Sequence, residues 1–152
     1  MHSLRTIQKL PVSLEEAWEF FSSPANLKEI TPSHMGFKIL SEDKDKMYPG
    51  MIISYIVKPF PNIPVKWVTE ITHVEEKKYF IDTQIHGPYS LWHHQHHFKE
   101  IEGGVEIKDI LHYRIPFGFV GRFVNTVVVG KKVKQIFDYR YKVLGERFGK
   151  YE

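Results

Sequence analysis

Histidines at 93, 94, 96 and 97 place four imidazoles in five positions, within the stretch GPYSLWHHQHHFKEIEGG at 87–104. Imidazole titrates near neutral pH, ligates metals and moves protons, so the cluster could be a metal site, a general base or a polar cavity lining. Which of these holds depends on what else faces the same way. Residues two apart on a strand share a face. In 91–98 the even positions are Trp92, His94, His96 and Phe98; the odd ones are Leu91, His93, Gln95 and His97. The even set carries both aromatics and is expected to point inward. His93 and His97 then lie on the outer face, where imidazoles are ordinary solvent-facing residues.

The flanking segments supply partners. In 105–115 the odd positions Val105, Ile107, Asp109, Leu111, Tyr113 and Ile115 form the inner face. A two-residue Gly103-Gly104 turn predicts Phe98 opposite Asp109, His96 opposite Leu111, His94 opposite Tyr113 and Trp92 opposite Ile115. On the other side, a loop of Gly87-Pro88-Tyr89 predicts Gln84 opposite Trp92, Asp82 opposite His94 and Phe80 opposite His96. Six polar side chains therefore face a core: Asp82, Gln84, His94, His96, Asp109 and Tyr113. Buried polar groups must be paired or solvated, which points to a cavity with a polar patch.

Three chemistries compete for this patch. Two inward histidines two apart on a strand could chelate a metal with Asp82 or Asp109, but no motif of diagnostic spacing accompanies them. Asp and His satisfying each other is the simpler arrangement, and no metal or other cofactor is assigned. An Asp82–His94 pair, or Asp109 diagonal to His96, could act as a general base, with Tyr113 donating to a developing enolate oxygen. These five residues are the catalytic candidates; the alternative is a hydrogen-bond network that shapes a binding site. Nucleophilic catalysis has no support, since there is no cysteine and no serine in a nucleophile-elbow context. GFVGRF at 118–123 lacks the spacing and the Lys-Ser/Thr of a phosphate loop.

The elements that position these groups follow from turn residues and periodicity. The N-terminal HSLRTIQKL alternates as a strand and Pro11 ends it. SLEE forms a capping box with Ser13 as cap, and Ala17, Phe20 and Phe21 mark the apolar side of a short helix. Ser23-Pro24 announces a second short helix carrying Leu27 and Ile30. Strands are expected at 36–40, 51–60, 64–75 and 79–86, followed by the two histidine-region strands. Their short connections imply an antiparallel sheet. From Phe119 the period becomes helical, with Phe123, Val127, Gly130, Lys134, Phe137, Tyr141, Leu144 and Phe148 on one stripe. If continuous over 119–148, that helix would span roughly 45 Å.

Composition narrows the function classes. A chain of 152 residues is expected to be one domain, 1–152. Eleven Phe, eight Tyr and three Trp can line a core or a cavity without cysteine. The absence of cysteine fits a reducing cytoplasm, and neither a signal peptide nor a membrane-length apolar run is visible. The formal charge is only +3, and the densest basic run, GKKVK at 130–134, fits a solvated helix face; no nucleic-acid partner is expected. Lys131, Lys132, Arg140 and Arg147 are likewise assigned to the wet outer face of the long helix, not to a membrane. The oligomeric state is left open.

Strand, two short helices, a long antiparallel sheet and one long C-terminal helix resemble the α+β helix-grip fold of the START/Bet v 1-like (SRPBCC) superfamily. The local pattern is similar to its polyketide cyclase/dehydrase and lipid-transport branch, in uncharacterised bacterial members. Asp82, Gln84, Gly87, Pro88, Tyr89, Trp92, His94, His96 and Phe98 carry it, followed by Asp109, Tyr113, Pro116 and Gly118. The resemblance spans essentially the whole chain. It implies a curved sheet wrapped around the C-terminal helix and a deep apolar cavity that takes hydrophobic small molecules. Its walls would be Trp67, Phe80, Trp92, Phe98, Leu111, Phe123, Val127 and Phe137. Other expectations are a cyclase- or dehydratase-like enzyme using an inward His/Asp pair, and a protein-interaction subunit.

Overall fold

The computed structural model describes residues 1–41, 46–60, 63–118, 120 and 125–152. Strand β1 (His2–Leu10) leads to helix α1 (Leu14–Phe21), then to two short 3-10 turns at Pro24–Lys28 and Ser33–Met35. Six strands follow: β2 (Lys38–Ile39), β3 (Met51–Phe60), β4 (Ile63–Glu75), β5 (Tyr79–His86), β6 (Leu91–Ile101) and β7 (Gly104–Arg114). A π-type turn at Asn125–Val129 runs into the C-terminal helix α2 (Gly130–Phe148). The seven strands form one antiparallel sheet in the order β1-β7-β6-β5-β4-β3-β2, so the first strand closes against the last. This is the helix-grip α+β arrangement. Among the described residues no helix is long and apolar enough to cross a membrane.

Local chemistry accounts for most of these boundaries. The Ser13 hydroxyl accepts from the Glu16 backbone N–H at 3.1 Å, as the capping box requires. α1 buries Ala17, Trp18, Phe20 and Phe21 against the sheet, where Trp18 meets Phe80 and Phe98 edge-on. Burying each such ring contributes about 1.5–3 kcal/mol. Pro24 opens the next turn, but the segment closes as 3-10, not α. The strand expected at 36–40 is reduced to Lys38–Ile39.

Two expectations are corrected. The β6–β7 turn is Glu102-Gly103, with Ile101 opposite Gly104, so every pairing shifts by two: His96 faces Asp109, His94 faces Leu111, Trp92 faces Tyr113 and Phe98 faces Ile107. Gly103 holds the left-handed φ of +72° in the turn. Gly104 is required for a different reason. A Cβ there would sit 2.1 Å from the Leu10 carbonyl oxygen, so β1 can approach only a glycine. The second correction concerns the long helix. α2 begins at Gly130, and the π-type turn before it changes the phase of the stripe upstream. Val127 is consequently 49% exposed, not internal. Phe123 lies outside the described residues. Within α2 the buried face is Val133, Phe137, Arg140 and Leu144, while Lys134 and Tyr141 are exposed.

Candidate functional site

Each histidine faces the way its parity predicts. His94 and His96 are buried, and His93, His97 and His112 are half-buried on the outer face. The β5–β6 register also holds, with Asp82 opposite His94 and Phe80 opposite His96, although the ladder ends at Thr83–His93, before Gln84. Because β7 is shifted by two, Asp109 stands directly beside His96 in the sheet. Two carboxylates from β5 and β7 therefore flank two imidazoles from β6.

The four side chains form a closed set. His94 Nε2 donates to Asp109 Oδ1 at 2.9 Å. His96 Nε2 donates to Asp82 Oδ2 at 2.6 Å, and its Nδ1 lies 3.1 Å from Asp109 Oδ1. His94 Nδ1 is 3.7 Å from Asp82 Oδ2. His96 thus bridges both carboxylates, His94 is bonded to Asp109 with Asp82 farther from its other nitrogen, and the two ring centroids are 3.8 Å apart. Phe80 stacks on His96 at 4.1 Å, and Phe137 lies 5.4 Å from His94.

A fifth member comes from α2. Arg140, assigned from sequence to the wet face of the helix, is 8% exposed, with Nη2 at 3.6 Å from Asp109 Oδ1 and 3.4 Å from His96 Nδ1. Its guanidinium also sits over the Phe21 ring at 5.2 Å. Sequence periodicity misses it because a cation beside an apolar stripe reads as a solvated edge. The one usable signal was Asp109 on an inner face, which needs a buried partner.

The electrostatics follow from this geometry. Burial would raise the Asp109 carboxyl, but Arg140 and the hydrogen bonds from His94 and His96 outweigh it and hold the group well below its ordinary range. Asp82 is lowered too, since the His96 hydrogen bond and the charges of His94, His96 and Arg140 overcome its burial. For His96, burial favours the neutral ring, yet carboxylate oxygens at both nitrogens raise its pKa. His94 is lowered by burial and by the neighbouring His96. A protonated His96, a neutral His94, Arg140 and two carboxylates sum to zero charge, the condition for burying such a set at tolerable cost.

Between the sheet and α2 lies a cavity of about 1000 Å³. Asp82, His94, His96 and Arg140 form its polar spot. Tyr55, Trp67, Tyr89 and Trp92 build an aromatic wall, with Trp67 and Trp92 in edge contact at 5.1 Å and Tyr55 stacked on Trp67 at 5.9 Å. Trp67 Nε1 donates to Thr69 Oγ1 at 3.0 Å, so the indole presents an apolar surface. Burial raises the phenol pKa of Tyr55 and Tyr89, which keeps both as neutral donors.

Of the residues expected to line this space, Trp67, Phe80, Asp82, Trp92, His94, His96 and Phe137 do so. Phe123 lies outside the described residues, and the rest are placed differently. Phe98 is packed among Trp18, Phe21 and Phe80 under α1. Leu111 is fully buried with Val133 and Phe137, and Tyr113 packs against Tyr89 and Trp92. Gln84 holds the β5–β6 loop, donating to the Tyr89 carbonyl at 2.6 Å and accepting from its N–H at 3.2 Å. Asp109 lies behind the histidines, and Val127 is at the surface. Tyr55 and Ile136 line the space without having been singled out from sequence, and Tyr89, read there as a loop and motif residue, lines it too.

Asp82, His94 and His96 also offer ligand atoms within 4.8 Å of one another, a spacing that could hold a metal. The same atoms are already matched to each other, and Arg140 places a positive charge beside them.

Residues 10–148 match the family model described as polyketide cyclase / dehydrase and lipid transport, so the chain belongs to that family. No curated protein matches the sequence. Among solved structures it is similar to TTHA0849 from Thermus thermophilus, with a TM-score of 0.75 at 14% identity over 97% of each chain. Protein CV1439 from Chromobacterium violaceum gives 0.73 at 12% identity over 98% of each. A protein from Rhizobium leguminosarum gives 0.71 at 12% over 95% of each. At such identities the likeness is one of fold.

Proposed function

We propose that residues 1–152 act as one ligand-binding domain that holds a hydrophobic or amphipathic small molecule between the sheet and α2. The observation that carries this is a cavity of about 1000 Å³ with aromatic walls and one polar spot, within the 300–1000 Å³ range that small-molecule sites occupy. Family membership supports hydrophobic-ligand binding in general. The apolar body of the ligand would lie against Trp67, Trp92 and Phe137. A carbonyl, hydroxyl or carboxyl group on it would meet Asp82, His94 and His96. Absence of cysteine agrees with action in a reducing cytoplasm.

Native mass spectrometry of the purified protein, followed by denaturing extraction, tests the reading. A retained lipid, quinone or polyketide-like species is expected. An Ile136→Trp variant, which fills the cavity from the helix side, should retain less of it. Equal retention by both proteins would place the molecule elsewhere.

A second reading is favoured by the Asp–His contacts: a cyclase- or dehydratase-like step in which the Asp82–His96 pair moves a proton on a bound carbonyl compound. Under it, His96→Asn abolishes turnover and leaves binding nearly unchanged. Under binding alone, the same substitution weakens affinity and there is no turnover to lose.

A further inference from the structure

A second, smaller cavity lies on the other side of the charged cluster. It measures about 70 Å³ and is lined by Thr6 and Gln8 of β1, Asp109 of β7, and Asp138, Arg140 and Tyr141 of α2, among others. Arg140 and Phe137 border both cavities. Asp109 borders only the small one, whereas Asp82, His94 and His96 border only the large one. The two oxygens of Asp109 are divided accordingly. Oδ1 meets His94 and His96, and Oδ2 accepts from the Thr6 hydroxyl at 3.5 Å. The outer rim, Asp138 and Tyr141, is exposed.

We propose that this small cavity is a proton port: it gives Asp109 its own path to solvent, so that the buried Asp–His cluster exchanges protons with bulk water while a ligand fills the large cavity. The space is roomy enough to admit water, which needs two to four polar partners. Asp109 Oδ2, the Thr6 hydroxyl and Arg140 supply those partners. The Arg140 Nε–H is buried and has no hydrogen-bond partner among the described residues.

The port solves a problem of charge. A ligand that takes a proton from His96 Nε2 by way of Asp82 removes one positive charge from a buried set. A proton from bulk solvent, relayed through the water of the small cavity, arrives at Asp109 Oδ2 and restores that charge, and the relaying water is left neutral. One proton enters, one leaves, and no electron moves. The ligands that use such a device carry a group that gains or loses a proton, such as an enolisable carbonyl, a phenol or a carboxylic acid. The charged and titratable groups facing the path are Asp82 from β5, His94 and His96 from β6, Asp109 from β7, and Arg140 and Asp138 from α2. Asp138 is itself paired with Lys134.

The port rests on the ligand-binding reading only for what fills the large cavity. Its test is exchange of the two ring N–H groups that face Asp109, His94 Nε2–H and His96 Nδ1–H, followed by nitrogen-15 NMR. The protein is studied alone and loaded with anilinonaphthalene sulfonate. In the wild type, loading should leave the exchange rates within about twofold, because solvent reaches Asp109 from behind. Thr6→Leu, which fills the small cavity, should slow exchange about tenfold in the loaded protein, and Thr6→Ser should not. Gln8→Leu on the same wall replaces Thr6→Leu if that variant does not fold. An unchanged rate in the blocked variant, or slowing by the dye alone in wild type, would overturn the port. If the dye does not enter the large cavity, that is a failure of the binding reading. The port is then judged in Ile136→Trp, where blocking the small cavity must produce the same slowing.

Discussion

Two imidazoles held between two carboxylates are not equivalent here, and their inequality has measurable consequences. His96 has a carboxylate oxygen at each nitrogen, while His94 has one close partner and a charged ring beside it. In a pH titration followed by NMR, His96 should still hold its second proton above pH 6.5, where His94 is neutral. Stability follows the same signs. The raised His96 contributes fully below pH 6.5, and that contribution is lost as pH climbs through its folded value. Asp82 and Asp109, both lowered from 3.8, contribute fully above that value and lose their contribution as pH falls through their folded values. His94, lowered from 6.5, begins to cost stability below that pH. The melting temperature should therefore fall on both sides of a near-neutral maximum, with the acid limb flattened in Asp109→Asn. Removing the carboxylate altogether, in Asp109→Ala, strands a buried guanidinium and should cost about 3–5 kcal/mol in urea denaturation. Parity alone made the inward Asp and His residues legible. Arg140 was not, because hydropathy cannot distinguish a cation that caps an apolar stripe from one buried against a carboxylate.

At the level of elements, the strands were easier to find than their pairings. Alternation and turn residues mark β3 to β7 clearly, but a pair of adjacent glycines offers two registers that differ by two residues and keep the same faces. What decides between them is a long-range contact, the Leu10 carbonyl pressed against Gly104, which no local rule contains. Gly104→Ala should accordingly destabilise by more than about 2 kcal/mol, since the backbone itself must move. Gly145, in the last turn of α2, has open space where a Cβ would stand. Gly145→Ala should stabilise by about 0.5–1 kcal/mol, and denaturant midpoints of the two variants decide both. The helix shows the same limit in another form. Its downstream stripe through Phe137, Leu144 and Phe148 is legible, whereas the π-type turn at Asn125–Val129 shifts the phase before it and brings Val127 to the surface.

For the whole molecule, the fold was legible because the order of elements is itself distinctive, and because a polar set on an inner face demands a cavity or a network. The cavity's full outline was not, since Tyr55 and Ile136 come from elements far apart in sequence and meet only in the closed sheet. Everything proposed for function requires that an apolar ligand sit in this space. The chain contains three tryptophans, of which Trp67 and Trp92 line the cavity and Trp18 is packed under α1 against Phe80 and Phe98. Titrating decanoate into nitrogen-15-labelled protein and following the three indole N–H signals separates the cases. Progressive, saturable shifts of Trp67 and Trp92 with Trp18 nearly still are the expected result. Saturable binding that leaves the Trp67 and Trp92 signals in place, or that moves Trp18 as much as either, would show that the ligand sits elsewhere.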